Sequence, residues 1–369
     1  MTMRKRLLAL LLALMMCLAL AACGGDTAGD TTEETGDAAS TGGTAETEDT
    51  AGTEDTAEAE ETGGGETDAG GAQSYRIAIV QQMDHASLDE IRDAIEAELD
   101  AIAAEQGIEI TYQEFNGQND ATILSQIGSQ VVSDGFDAVI PIATLAAQCM
   151  VTAVEDAGIP VVYAAISDPE EAGLTGIDFV TGVSDALNTE FILDMMFAQN
   201  PDIQTVGLLY SRSETNSARP IEQAKAYLDE AGVAYIESTG NTTDEILAAV
   251  TNLTDQVDAI FTPTDNVVMG AELAIYETLI EAGVPHYTGA DSFVRNGAFA
   301  TCGVNYTELG AYTADMTVEV LQTGEIPEYH VMDGGIITVN TETAAALGID
   351  YSVFADMAST VNEVTTTED

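Results

Sequence analysis

One phrase is written twice in this chain. "DAVIPIATLAAQ…AGIPVVYAAISDP" begins at Asp137, and "DAIFTPTDNVVMG…AGVPHYTGADS" begins at Asp258. The apolar runs are kept, while the polar residues that follow each run change. The echo extends upstream, where "RIAIV" at Arg76 is answered by "TVGLLY" at Thr205, and "EQGIEITYQ" by "EAGVAYIES". The offset stays at roughly 120 to 130 residues, too long for a solenoid repeat and right for a duplicated domain.

The first copy shows what the repeated unit folds into. "RIAIV" is a short β-branched run, after which Leu88, Ile91, Ile95, Leu99 and Ile102 fall on one helical face. Gly107 stops that helix, "IEITYQEF" extends as a second strand, and Ile123, Leu124, Ile127 and Val131 make the next apolar stripe. "DAVIPIA" and "IPVVYAAI" are strands flanking a helix from about Leu145 to Asp156. The order βαβαβαβ predicts a parallel sheet with helices on both faces. The expected fold is therefore α/β, with two Rossmann-like lobes facing each other across a cleft. Such sheets place their ligands beyond the strand ends, which is where the two copies differ.

Three segments are left over: "GAFATCGVN" (about 297–305), an amphipathic helix through Met316 to Leu321, and "GGIITVN" (335–340). The economical placement returns the first strand and the helix to lobe one and sends the last strand to lobe two. Lobe one is then 75–183 plus about 297–323, lobe two 184–296 plus about 324–355, and 356–369 a tail. Several crossings between lobes make a multi-strand hinge.

The ends read differently from this core. Arg4, Lys5 and Arg6 precede an apolar run too short for a typical span, so residues 1–22 read as an export signal. Leu20-Ala21-Ala22-Cys23 resembles the bacterial lipobox, which makes Cys23 the lipidated first residue; the alternative is an ordinary cleavage site with an incidental cysteine. Residues 23–74 carry Gly, Thr, Ala, Asp and Glu with no basic or aromatic residue from Gly24 to Ser74, the composition of a disordered tether.

The chain of 369 residues has 64 acidic and only 9 basic side chains. The core's basic residues, Arg76, Arg92, Arg212, Arg219, Lys225 and Arg295, form no stripe for phosphates, so nucleic acid is excluded as a partner. Cys149 and Cys302 read as two buried thiols rather than a bridge. His85, His286 and His330 are isolated, so no metal or other cofactor is expected.

From Tyr75 to about Tyr351 the chain resembles the substrate-binding proteins of bacterial ABC transporters, and more closely the family that includes the binding proteins of tryptophan and tyrosine importers. The resemblance is carried by "IAIVQQMDHASLDEIRDAI", "PIATLAAQ", "VVYAAISDPEEAGL", "VTGVSD", "VGLLYSRSETNS", "FTPTDNVV" and "GADSFVRNGAFATCGVNYTELG". It implies the type I periplasmic-binding-protein fold, a small solute such as an aromatic amino acid in the cleft, a membrane permease as partner, a lipid anchor on the outer face of the cell membrane, and a monomer.

A free amino acid needs anion donors, a carboxylate and a shaped pocket. Thr144 follows "DAVIPIA" at a helix start, where it either binds a carboxylate with the free N–H groups or simply caps the helix. Ser167 and Asp168 follow the next strand, with Asp168 before Pro169 equally suited to a turn. In lobe two, Thr264, Asp265 and Asn266 match Thr144, while Asp291 and Ser292 match Ser167. Amino-acid binders of this fold resemble one another in meeting the ammonium with a lobe-two carboxylate; Asp291 is the first choice and Asp265, which also suits a cap, the second. Gln81, Gln82 and His85, with Ser213, Asn216 and Ser217, are rim candidates. Tyr163, Tyr210 and Phe293 either stack on a ligand ring or pack in the core.

Two other functions fit or compete with the cleft. A sensory module for a membrane receptor, or binding of a nucleoside or sugar, would use the same architecture. An enzyme is not expected: the chain has no G-x-S-x-G elbow, no supported histidine triad and no metal cluster.

Overall fold

The structure, a computed structural model, describes residues 73–367; the export signal, Cys23 and nearly all of the tether lie outside them. The first half runs β1 (Ser74–Gln81), α1 (Ala86–Gln106), β2 (Glu109–Asn116), α2 (Ala121–Asp134), β3 (Ala138–Ile142), α3 (Thr144–Val154), β4 (Val161–Ala164) and β5 (Val180–Ser184). The apolar stripe of α1 is buried from Leu88 to Ile102, and the helix ends at Gly107, whose φ of 66° lets its N–H turn back to Ala103 O. Helix α2 starts at Asp120, whose carboxylate accepts from the N–H groups of Thr122 and Ile123. Strands β3 and β4 are buried along their whole length, because helices cover both faces of the sheet.

The second half repeats the plan with α4 (Thr189–Gln199), β6 (Thr205–Tyr210), α5 (Thr215–Ala231), β7 (Ala234–Thr239), α6 (Thr243–Leu253), β8 (Ala259–Thr262), α7 (Asn266–Met269), α8 (Glu272–Ala282), β9 (His286–Thr288), α9 (Asp291–Arg295) and β10 (Ala300–Gly303). The chain then continues through α10 (Tyr306–Thr323), β11 (His330–Val331), β12 (Ile336–Asn340), α11 (Thr341–Leu347) and β13 (Val361–Val364).

Two sheets result, ordered β11-β5-β4-β3-β1-β2 and β13-β12-β10-β9-β8-β6-β7. The register repeats with the sequence: Ile77 sits between Tyr112 and Ala138, as Val206 sits between Tyr235 and Ala259. Every pair is parallel except β10 with β12. The α/β fold with two parallel-dominated sheets is the one expected.

One leftover strand lands on the other side from its expected place. Within the 297–305 segment, β10 joins the second sheet, with Thr301 opposite Thr288 on one side and Thr338 on the other. A strand that directly follows β9 and its short helix extends the sheet it has just left more cheaply than it crosses to the other one. Helix α10 packs along α1. Gly310 allows the approach: a Cβ there would stand 2.6 Å from Ile91 O. Strand β11 pairs with β5, and the expected tail contains β13, which pairs with β12. The chain thus passes between sheets three times, after β5, β10 and β11. Cys149 and Cys302 are both free thiols; Cys302 is buried and Cys149 half-buried.

Candidate functional site

Strands β3 and β4 end in apolar runs and are each followed by an alanine with positive φ, Ala143 at 76° and Ala165 at 57°. An L side chain in this region costs about 1 to 3 kcal/mol, a strain that surrounding structure must hold in place. Both alanines line one cleft between the lobes. The turn at Ala143 starts α3 immediately, so the helix opens with Thr144 on the cleft wall and first-turn N–H groups that have no intrahelical partner. Gln82 Oε1 accepts one of them, from Leu145, at 3.0 Å.

The cleft spans about 360 Å³ of space between atoms, the solvent at its mouth included. Leu88, Ile91, Met269 and Phe293 give it an apolar wall, and among the described residues no Lys or Arg lines it. Its polar side chains form two chains of hydrogen bonds, each crossing from lobe to lobe.

The first chain centres on Asp185, which follows β5 at the first crossing. Tyr306 OH donates to its Oδ2 at 3.0 Å, and Ser167 Oγ to its Oδ1 at 3.0 Å. Ser167 also meets Thr264 Oγ1 of lobe two at 2.9 Å. Burial pushes the Asp185 carboxyl above its ordinary range, and the two hydroxyls pull it partly back. Asn216 Nδ2 donates to Thr264 O at 2.6 Å, which leaves its buried Oδ1 without a partner.

The second chain runs through Gln82, Glu214, Asn266 and His85. Gln82 Nε2 donates across the lobes to Glu214 Oε1 at 2.9 Å, Asn266 Nδ2 donates to Glu214 Oε2 at 2.6 Å, and Asn266 Oδ1 lies 3.0 Å from His85 Nε2. Burial, with repulsion from Asp265, lifts the Glu214 carboxyl to about 7 against the pull of these amides. Asp265 is committed to structure: it accepts from Ser211 N–H at 2.7 Å, Ser217 Oγ at 2.6 Å and Val268 N–H at 3.0 Å. Further pairs, Ser87 with Ser292, Asp168 with Arg219 and Glu90 with Arg295, join the lobes around the cleft. The lobes are closed.

Of the residues expected at a ligand, His85, Thr144, Ser167, Asn216, Asp265 and Asn266 meet on this cleft. Gln81 turns away, donating to Met83 O and Asp89 Oδ1. Tyr163 is fully buried in lobe one, beneath a groove that Tyr329 also borders and apart from the cleft. Asp168 accepts from the N–H groups of Glu170 and Glu171 in its own turn and pairs with Arg219 away from the cleft lining. Asp291 stands 3.4 Å from Arg295 at the start of α9 and is not among the residues that line the cleft, where the preceding Ala290 and the helix's Phe293 are found. The sequence reading missed Asp185, Glu214 and Tyr306. The signal for Asp185 was its place in a lobe crossing, where a side chain can reach both halves.

The set has a defined chemistry. Asp185 and the unpartnered Asn216 Oδ1 accept hydrogen bonds, the start of α3 offers them, and Leu88, Ile91, Met269 and Phe293 supply an apolar part of the wall. This matches a zwitterion with an apolar side chain.

A family model described as ABC transporter substrate binding protein matches residues 76–358. The chain is similar to a tyrosine-binding protein of Clostridioides difficile (strain R20291), 29% identical over 279 residues that cover 73% of this chain and 80% of that one. It is similar in structure to the ABC domain in complex with L-Trp from Streptococcus pneumonia, at 32% identity and a TM-score of 0.72 over 78% of this chain and 100% of that one. It is also similar to the ligand-free, open structure of a substrate binding protein with adhesive properties from Clostridium difficile, at 28% identity and a TM-score of 0.60 over 79% and 100%.

Proposed function

We propose that this chain, which belongs to the ABC transporter substrate-binding protein family, closes its lobes on a free aromatic α-amino acid and delivers it to a membrane permease. The family binds solutes and does not transform them, and its members work outside the cytoplasm. The observation that carries the reading is the polarity of the cleft. Asp185, with Asn216 Oδ1, meets the ammonium, Thr144 and the first turn of α3 take the carboxylate, and Leu88, Ile91, Met269 and Phe293 receive the ring. Among the described residues no Lys or Arg lines the cleft, so the carboxylate is met by helix N–H groups and a hydroxyl.

Two likenesses support it. The relative bound to L-Trp superposes better than the ligand-free, open one, although their identities differ little, which fits lobes closed as around a ligand. One curated relative is a tyrosine-binding protein. Cys23, outside the described residues, is the proposed lipid anchor; among the described residues no helix is long and apolar enough to cross a membrane. The test is a thermal-shift screen of the protein against the twenty amino acids, nucleosides and sugars, since a ligand bound only by the native state raises its melting temperature. A rise with tryptophan or tyrosine is expected. Silence from every amino acid alongside a response to another class refutes the reading.

A further inference from the structure

His85 lines the cleft and keeps one unpartnered ring nitrogen, whose identity as an acceptor follows from the chain of hydrogen bonds behind it. Gln82 is oriented by a backbone group: its Oε1 accepts the Leu145 N–H, so its Nε2 is the atom that donates to Glu214. Glu214, when ionised, can only accept, so Asn266 turns its Nδ2 toward Glu214 and its Oδ1 toward His85. Asn266 Oδ1 in turn can only accept, so His85 Nε2 carries the proton. Burial holds the imidazole neutral, below its ordinary range, against the pull of Asn266, Asp89 and Asp84. A neutral ring with its proton on Nε2 has a bare lone pair on Nδ1. That atom is shut from solvent and has no hydrogen-bond partner among the described residues. His85 also stands just before α1, whose Leu88 and Ile91 form part of the apolar wall.

We infer that His85 Nδ1 accepts a hydrogen bond from the side chain of the bound ligand, so that the cleft selects aromatic amino acids carrying a ring donor, an indole N–H or a phenol O–H, over those without one. The inference rests on the amino-acid reading above and adds to it a residue that reads the side chain. Leaving a buried acceptor unmet is what penalises the wrong ligand, and its usual size corresponds to about a ten- to hundredfold loss of affinity.

The test is calorimetric titration of the full-length protein at pH 8, where Glu214, lifted to about 7, is ionised. The probes are L-tryptophan and β-(3-benzothienyl)-L-alanine, which replaces the ring N–H by sulfur at nearly the same shape. The unaltered protein is expected to prefer tryptophan by about ten- to hundredfold, and His85→Phe to bring the ratio to within about threefold by weakening tryptophan alone. Equal affinity of the unaltered protein for both probes overturns the inference and leaves the amino-acid reading standing. A His85→Phe protein that weakens both probes equally also overturns it, assigning His85 to the ammonium or to lobe closure. Binding of neither probe overturns the amino-acid reading together with this inference.

Discussion

Replacing Asp185 by asparagine separates its role in binding from any role in folding, because the two effects have opposite signs. The carboxylate is 5% exposed and accepts from Ser167 and Tyr306, so in the closed cleft it is the buried partner awaiting an ammonium. Removing one member of a buried ion pair costs about 3 to 5 kcal/mol. Asp185→Asn should therefore weaken an aromatic amino acid by roughly two to nearly four powers of ten. Without ligand the same carboxylate is a cost. Its folded pKa is raised by burial, so its protonated form is favoured: the associated stability is fully present below the ordinary carboxyl value and is lost as the pH rises through the folded one. At pH 7 the neutral amide avoids that loss, and the melting temperature of the unliganded protein should stay level or rise. Calorimetry and a melting curve at pH 7 read both quantities. A deaminated analogue, 3-indolepropionate, supplies the control, since its affinity should change little between the two proteins. A melting temperature several degrees lower with unchanged amino-acid affinity would show that Asp185 holds the hinge together and that the ammonium lies elsewhere.

Other perturbations follow from particular contacts. Gly310→Ala places a Cβ 2.6 Å from Ile91 O and 2.7 Å from Ala94 Cβ, between α10 and α1, and should cost about 1 to 3 kcal/mol in denaturant unfolding. An unchanged midpoint would mean that the two helices can part without loss. The pH response of affinity should carry the mark of Glu214, which faces Asp265, Gln82, Asn216 and Asn266, with His85 beyond Asn266. Its closed-form pKa of about 7 lies above the ordinary 4.5, so closure takes up a proton; the gain is complete below 4.5 and is lost as the pH rises through 7. Between pH 6.5 and 8, where His85 stays neutral, affinity should fall about fourfold, and Glu214→Gln should flatten the profile. A slope that survives the substitution assigns it to another group. Cys23→Ser should move the protein from the membrane fraction to precursor or soluble forms; unchanged detergent-dependent membrane association with normal processing refutes lipidation at that residue.

The fold was legible because duplication and periodicity are properties of the chain alone. Leu88 through Ile102 predict both a helix and its buried face, and the Asp137 and Asp258 phrases predict equivalent strands. Which sheet a strand joins is decided by its neighbours in space, and the run at Ala300, assigned to lobe one from the sequence, lies beside β9 in the second sheet. The cleft was half legible. Thr144, Ser167, Asn216 and Asn266 follow strand ends, where the repeat varies. Asp185 directly follows β5, and only the path of the crossing brings it under Ser167 and Tyr306. Asp291 was placed by the symmetry of the two halves, but the halves are not symmetric at that point: lobe two follows β9 with a short helix that turns Phe293 inward and the carboxylate toward Arg295. Glu214 was passed over for its hydroxyl and amide neighbours, since nothing local to "SRSETNS" reveals Gln82 opposite it.

The return of α10 to lobe one has a consequence for the order in which the molecule is made. The helix that covers Ile91 and Ile95 is encoded after all but the last strands of lobe two, so the first half of the repeat leaves the ribosome with one flank of its core bare. A duplicated gene suggests two halves that once stood alone; the present chain has traded that independence for interleaving. Neither lobe is contiguous, and each holds residues that arrive only when the other is largely complete. Folding must therefore wait for long-range contacts, which slows it and keeps apolar surface open for longer. For an exported protein that delay is useful, because a chain unable to finish its first lobe early stays extended enough to be threaded across a membrane.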